Sequence, residues 1–204
     1  DLGDVILGCA TQAGEQAANI AKTSTLYAGW PHSIPGMTVN RYCSSGIDAI
    51  NIAAMKVMAG VDELVVAGGI EMMSRVAMLS DKPAAFLDVK LAGKLGMYMM
   101  GSGADLIASQ YQVSREQADA VALQSPQRAA HASEQGYFKS IIAIDVPSSD
   151  EPFSSDETIR PQTSAASLAQ LMPSFSELGA QGVDDALLQS FPELSEITHV
   201  HTAA

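Results

Sequence analysis

The sequence is poor in cysteine, in aromatic side chains and, beyond Lys139, in positive charge. Its only two cysteines, Cys9 and Cys43, make neither a disulfide framework nor zinc-ligand spacing. Such usage suits a reducing compartment, and a cytoplasmic location is the expectation. No apolar run reaches the roughly 20 residues a membrane-spanning helix needs, so no membrane partner is expected. The formal charge of −12 also argues against nucleic acid and anionic membrane as partners. That charge is uneven: residues 1–139 hold ten Lys/Arg against 13 Asp/Glu, whereas residues 140–204 hold one, Arg160, against ten. A polyanionic ligand would therefore need local basic groups or helix N-termini, because the general field repels it.

The 204 residues are 47% hydrophobic and 17% charged, enough to bury a core. They are organised around Val39-Asn40-Arg41-Tyr42-Cys43-Ser44-Ser45-Gly46-Ile47. Pro35-Gly36 marks a turn, residues 37–42 read as a short strand, and Cys43 falls where the chain turns into a helix running to Met58 and closed by Gly60. Apolar side chains on most sides of that helix predict a buried one. A cysteine at such a terminus faces unpaired N–H groups and the positive end of the helix dipole. Both favour thiolate, the nucleophilic form. The competing assignment is a small buried hydrophobe, the commoner fate of a free cysteine. Next comes the apolar run Leu64-Val65-Val66-Ala67, ending in Gly68-Gly69. A buried helix followed at once by a buried strand predicts an α/β layer arrangement.

Asn40-Arg41-Tyr42-Cys43-Ser44-Ser45-Gly46 and Ala67-Gly68-Gly69-Ile70-Glu71-Met72-Met73-Ser74-Arg75 together resemble the thiolase family, in motif and in spacing. The resemblance implies that Cys43 takes up an acyl group. It implies a thiolase-like layered α/β fold: a partial N-terminal core over residues 1–77, a loop domain covering the active site over 78–196, and the start of the return to the core at 197–204. Residues 5–10 resemble the family's second strand and Glu15–Leu26 the helix after it, so a first strand and helix are expected to precede Asp1. Met72 stands where the family usually has serine or asparagine.

Elsewhere the chain offers alternatives. Trp30 and His32 read as loop-packing residues rather than ligands. The cluster Met97-Tyr98-Met99-Met100-Gly101 reads as core filler or as an acyl-binding wall. Its Met99-Met100-Gly101 resembles the family's His-Met-Gly segment, with Met99 in place of histidine and so a more apolar wall. Ala104, Ile107, Ala108 and Tyr111 share one helical face. Ser114 and Gln117 form a capping box for a second helix, which Pro126 is expected to kink or break and Gly136 to end. Residues 137–144 suggest a returning strand. Asp156-Glu157-Thr158-Ile159-Arg160 resembles a family element whose arginine lies near the coenzyme A nucleotide; alternatively Arg160 is a charge balancer. A short helix is expected through Leu168 and Leu171. Residues 179–196 show no chemistry, and His199 and His201 share a face of an extended segment without a third ligand to make a metal site.

The resemblance implies ping-pong acyl transfer between thioesters through an acyl-cysteine intermediate, with coenzyme A and acyl-CoA as substrates and no covalently bound cofactor or metal. Cys43 is the expected nucleophile, Met99 and Met100 border the acyl group, and Arg160 contacts the nucleotide. A homodimer or homotetramer is the expected state of the complete protein. No Gly-His-Pro, second Cys-Gly or Asn-Glu-Ala-Phe motif occurs in the 204 residues, so the chain is expected to be truncated at both ends and inactive alone. Two other functions stay open: a related β-ketoacyl synthase, which also sets a cysteine on a strand-to-helix turn, and a non-catalytic acyl-CoA-binding or interaction module.

Overall fold

Parallel strands set the architecture. The computed structural model describes residues 1–147 and 149–204. They divide into two compact units, 1–88 and 89–204.

In the first unit β1 (Leu2–Gly8) lies between β2 (Gly36–Val39) and β3 (Leu64–Gly69), parallel to both. β1 buries both faces, as a central parallel strand must. Val5 packs with Ala21 and Ile34 on one side. Ile6 packs with Ala49 and Ala53 on the other. Helix α1 (Ile20–Tyr27) thus covers one face and α2 (Ser45–Met58) the other, the expected α/β layering. The helix expected from Glu15 is split. A single turn at Gly14–Gln16 precedes Ala18 at φ +57°, and Asn19 then caps α1 by accepting the Lys22 N–H at 3.1 Å. Lys56, in the last turn of α2, ties it to β1 through Asp4 at 2.5 Å and to Asp62 at 2.8 Å.

One expectation about α2 fails. Only Ser45, Ala49 and Ala53 are buried, while Ile47 is 63% and Met58 86% exposed. The small alanines let the helix lie close to the sheet. Of the larger apolar side chains Ile52 packs beside them, and Ile47, Ile50, Met55, Val57 and Met58 are exposed.

The second unit is helical: α3 (Ala84–Leu87) closes the first unit, and α4 (Val89–Leu95), α5 (Met100–Tyr111), α6 (Arg115–Glu134), α7 (Ala165–Ala169), α8 (Ser176–Leu178) and α9 (Asp184–Ser190) follow. The Ser114–Gln117 capping box forms in both directions, and α6 runs through Pro126 to Glu134. The expected break is absent: Pro126 withholds one N–H from the turn before it, and helix forms on both sides. The returning strand is also absent. Among the described residues one isolated bridge, Ile144 to Phe153, is all that forms there, because no neighbouring strand offers a ladder.

The core of this unit joins Leu106, Leu187 and Ile197. The residues grouped on one face of α5 divide: Ala108 is buried, whereas Ile107 and Tyr111 are exposed, and Asp105 beside them is wholly buried. Its carboxylate accepts the Val200 and His201 N–H groups at 3.0 and 2.9 Å and meets His199 Nδ1 at 2.8 Å. The opposite ring nitrogen of His199 meets Asp184 at 2.9 Å. Gly179 leaves the space that the Asp184 carboxylate occupies, so residues 179–196, expected to be inert, supply half of this clamp. His199 and His201 part company, His201 lying against the Phe175 ring.

Burial alone would push the His199 imidazole down, but the hydrogen bonds to Asp105 and Asp184, helped by their charge, hold it above its ordinary value. A group whose value rises on folding stabilises fully below its unfolded value of about 6.5 and loses that contribution as pH rises through the folded value. Urea titrations from about pH 6 to about pH 9 are therefore expected to show the stability gap between the parent and His199→Phe shrinking as pH rises. A gap constant with pH would show that the imidazolium contributes nothing.

Candidate active site

Cys43 sits on a pinned turn between β2 and α2. β2 stops at Val39, whose carbonyl accepts the Cys9 N–H at 3.0 Å. Tyr42 then takes φ +49°, a left-handed conformation that costs a bulky residue about a kcal/mol or more. Ser45 holds it there: its hydroxyl accepts the Arg41 N–H at 2.8 Å and donates to the Tyr42 carbonyl at 2.5 Å. Arg41 also pairs with Asp48 in the first turn of α2.

Two glycines let this turn rest on the sheet. A side chain at Gly8 would come 2.5–2.7 Å from the Ser45 and Gly46 backbone, and one at Gly69 would come 3.1 Å from the Gly8 carbonyl. The start of α2 therefore lies directly on the carboxyl ends of β1 and β3, the edge of a parallel sheet where ligands bind. Cys43 is exposed there, immediately before the N-cap Ser44. Ser44 gives α2 no side-chain cap, and Asp48 lies in its first turn.

Cys9 contrasts with it in exposure. It is 1% exposed, and burial, then the charge of Glu71, pushes its thiol up. Of the two cysteines only Cys43 is both accessible and placed at a helix terminus.

Three residues to which the sequence alone assigns no role, Glu71, Gln16 and Asn40, hold the strand ends around this turn. The Glu71 carboxylate accepts the Ala10 N–H at 2.8 Å, the Thr11 N–H at 3.2 Å and Gln16 Nε2 at 2.7 Å. Gln16, buried, also donates to the Thr11 carbonyl at 2.7 Å and accepts the Met72 N–H at 3.0 Å. Burial would raise the Glu71 carboxyl, but these bonds outweigh it and hold the group below its usual range. The signal available in the sequence was Glu71 following the paired glycines of a strand end.

The other candidate residues lie in the second unit. Met99 is half-buried and precedes α5, and Met100 opens that helix fully exposed. Arg160 is exposed on the wall of a groove of about 690 Å³ floored by Ala118, Ala122, Ser125 and Ala129 of α6. Neither methionine lines this groove. Asp156 shapes the loop, accepting the Thr158 hydroxyl at 2.6 Å and its N–H at 2.8 Å, which hold its carboxyl below the usual range. Among the described residues Arg160 makes no ion pair.

Residues 1–186 match the family described as Thiolase, N-terminal domain. The 3-ketoacyl-CoA thiolase of Bacillus subtilis (strain 168) is 41% identical over 190 residues, which are 86% of this chain and 48% of that protein. The 3-oxoadipyl-CoA/3-oxo-5,6-dehydrosuberyl-CoA thiolase of Escherichia coli (strain K12) is 36% identical over 210 residues, 90% of this chain and 52% of that one. The crystal structure of the Bacillus anthracis acetyl-CoA acetyltransferase superposes with a TM-score of 0.63 at 36% identity, covering 85% of this chain and 47% of that one. The chain spans about half the length of the curated relatives it matches. With the parallel sheet, the cysteine turn and the paired-glycine strand end in place, the chain belongs to the thiolase family and has its α/β fold.

Proposed function

We propose that this chain carries the acyl-accepting cysteine of a thiolase, and that the complete protein transfers acyl groups between thioesters of coenzyme A. The observation that carries the proposal is the placement of Cys43: exposed, on a strained turn, before an uncapped helix at the carboxyl edge of a parallel sheet. In the degradative direction the Cys43 thiolate attacks the 3-keto carbon of a 3-ketoacyl-CoA. The carbon–carbon bond to the α-carbon breaks, and the departing acetyl-CoA enolate takes up a proton. The thiol of free coenzyme A then gives up its proton, replacing the one the enolate took, and its sulfur attacks the acyl-cysteine, forming a shortened acyl-CoA and returning the Cys43 thiolate. Condensation reverses these bonds. The Cys43 N–H is the proposed donor to the oxyanion of each tetrahedral intermediate.

Residues 78–196 are the proposed loop domain. Within it the groove beside Arg160 suits the nucleotide of coenzyme A. A guanidinium without an ionic partner can serve phosphate or stack on adenine, and the small residues of α6 leave room for it. Met99 and Met100 are assigned to the acyl end, as an apolar and adaptable wall. A dimer or tetramer of the complete protein, and a cytoplasmic location, belong to the same proposal.

Three outcomes test it. In folded protein near neutral pH, limited iodoacetamide treatment followed by peptide mapping is expected to label Cys43 well before Cys9; equal labelling would return Cys43 to a structural role. In the full-length protein, Arg160→Ala is expected to raise the Kd for coenzyme A roughly tenfold or more, the weight of a charged hydrogen bond at about 1.5–3 kcal/mol. An unchanged Kd would remove Arg160 from the site. Finally, carbon–carbon bond chemistry needs a base at the α-carbon and a site for the enolate oxygen, and no motif in residues 1–204 resembles the family's groups for either. The purified 204-residue chain is therefore expected to show no turnover of acetoacetyl-CoA with coenzyme A. Turnover that vanishes in Cys43→Ala would show that these residues suffice.

A further inference from the structure

A continuous set of hydrogen bonds leads from Glu71, just past the end of β3, to the turn that presents Cys43. The Glu71 carboxylate holds the Ala10 and Thr11 N–H groups at 2.8 and 3.2 Å, fastening the segment leaving β1 to the segment leaving β3. The other side of Ala10 continues the connection: its carbonyl accepts Asn40 Nδ2 at 3.0 Å. Asn40 Oδ1 in turn accepts the Tyr42 N–H at 2.9 Å. Tyr42 is the residue held at φ +49°, one position before Cys43.

Each link uses a group that its replacement could not supply. Two neighbouring backbone N–H groups and the Gln16 amide all point donors at Glu71, and a carboxylate answers with acceptors alone. Glutamine there keeps the shape but puts an NH₂ donor among donors. Asn40 must donate to Ala10 and accept from Tyr42 at once, which an amide does and a carboxylate cannot.

We propose that Glu71 and Asn40 are positioning residues for Cys43, with Glu71 fixing the strand-end backbone and Asn40 passing that fix to the strained turn. The proposal rests on the assignment of Cys43 as the nucleophile. It differs from a general stabilising role because its effect falls on the geometry of one thiol, and a displacement of the order of 1 Å can slow a reaction about a hundredfold.

The test uses the full-length protein, with two readouts per variant: the iodoacetamide rate at Cys43 with Cys9 as internal reference, and kcat and KM for thiolysis of acetoacetyl-CoA. In Glu71→Gln the Cys43 rate and kcat are expected to fall about tenfold or more, with KM for coenzyme A unchanged and Cys9 still protected. If both Cys43 readouts match the parent, the proposal is overturned. If Glu71→Gln instead loosens the fold, seen as rapid labelling of Cys9, Asn40→Asp decides. It breaks the exposed link and leaves the Glu71 contacts intact, and it is expected to lower the Cys43 rate and kcat while Cys9 stays protected; parent-like values there overturn the proposal. The underlying assignment fails separately, through turnover that survives Cys43→Ala in the otherwise unaltered protein.

Discussion

The whole first unit depends on one close approach, that of the α2 backbone to the end of β1. Gly8 has no Cβ, and Ser45 and Gly46 occupy the space where one would be. Any side chain at position 8 would lift the helix start off the sheet, and with it the turn that Ser45 pins. The strand end, the left-handed Tyr42 and the exposed Cys43 are thus consequences of a single missing methyl. Gly69 repeats the device more loosely, at 3.1 Å from the Gly8 carbonyl. Paired glycines at strand ends are often read as turn formers. Here φ is not the issue, because β3 includes Gly69 as a regular strand residue; what matters is room.

The second unit solves a different problem. Beyond Lys139 it holds ten carboxylates and one arginine, and the buried or turn-forming carboxylates of the unit are held by hydrogen bonds. Asp105 and Asp184 share His199, Asp105 also takes two backbone N–H groups, and Asp156 closes a local turn on Thr158. A buried carboxylate bonded on this scale costs far less than an unpaired one. Among the described residues Arg160 makes no ion pair, so its charge stays available on the groove wall.

The sequence made the first unit largely legible and the second only in part. β1, α2 and β3 follow from apolar runs with glycine ends, and the capping box at Ser114 follows from side-chain chemistry that acts within one turn. Those signals are local. Asp105 was invisible because its partners lie 94 to 96 residues away, and a lone aspartate in a helix gives no hint of burial. The shared face of Ala104, Ile107, Ala108 and Tyr111 did not tell which of them would be buried: Ala108 is, Ile107 and Tyr111 are not. The run Ile141–Ile144 had strand propensity, yet propensity without a neighbouring strand yields no ladder. In the site, the cysteine turn was readable from motif and helix position. Glu71 was visible as a letter and not as a hub, since its work is done on the backbone of residues 10 and 11.

Ala49 and Ala53 serve the sheet, and the small size that lets α2 approach Gly8 is what leaves Ile47, Ile50, Val57 and Met58 directed elsewhere. A helix whose only purpose was to cover β1 would place polar groups on its far side. This one carries exposed apolar side chains there as well, Ile47, Ile50, Val57 and Met58 among them. The same helix carries Cys43 at its start. The geometry of the nucleophile is therefore set from the sheet side by Gly8, Ser45 and Asn40, independently of whatever the outer face of α2 meets, and that separation is what makes the cysteine turn complete within residues 1–88.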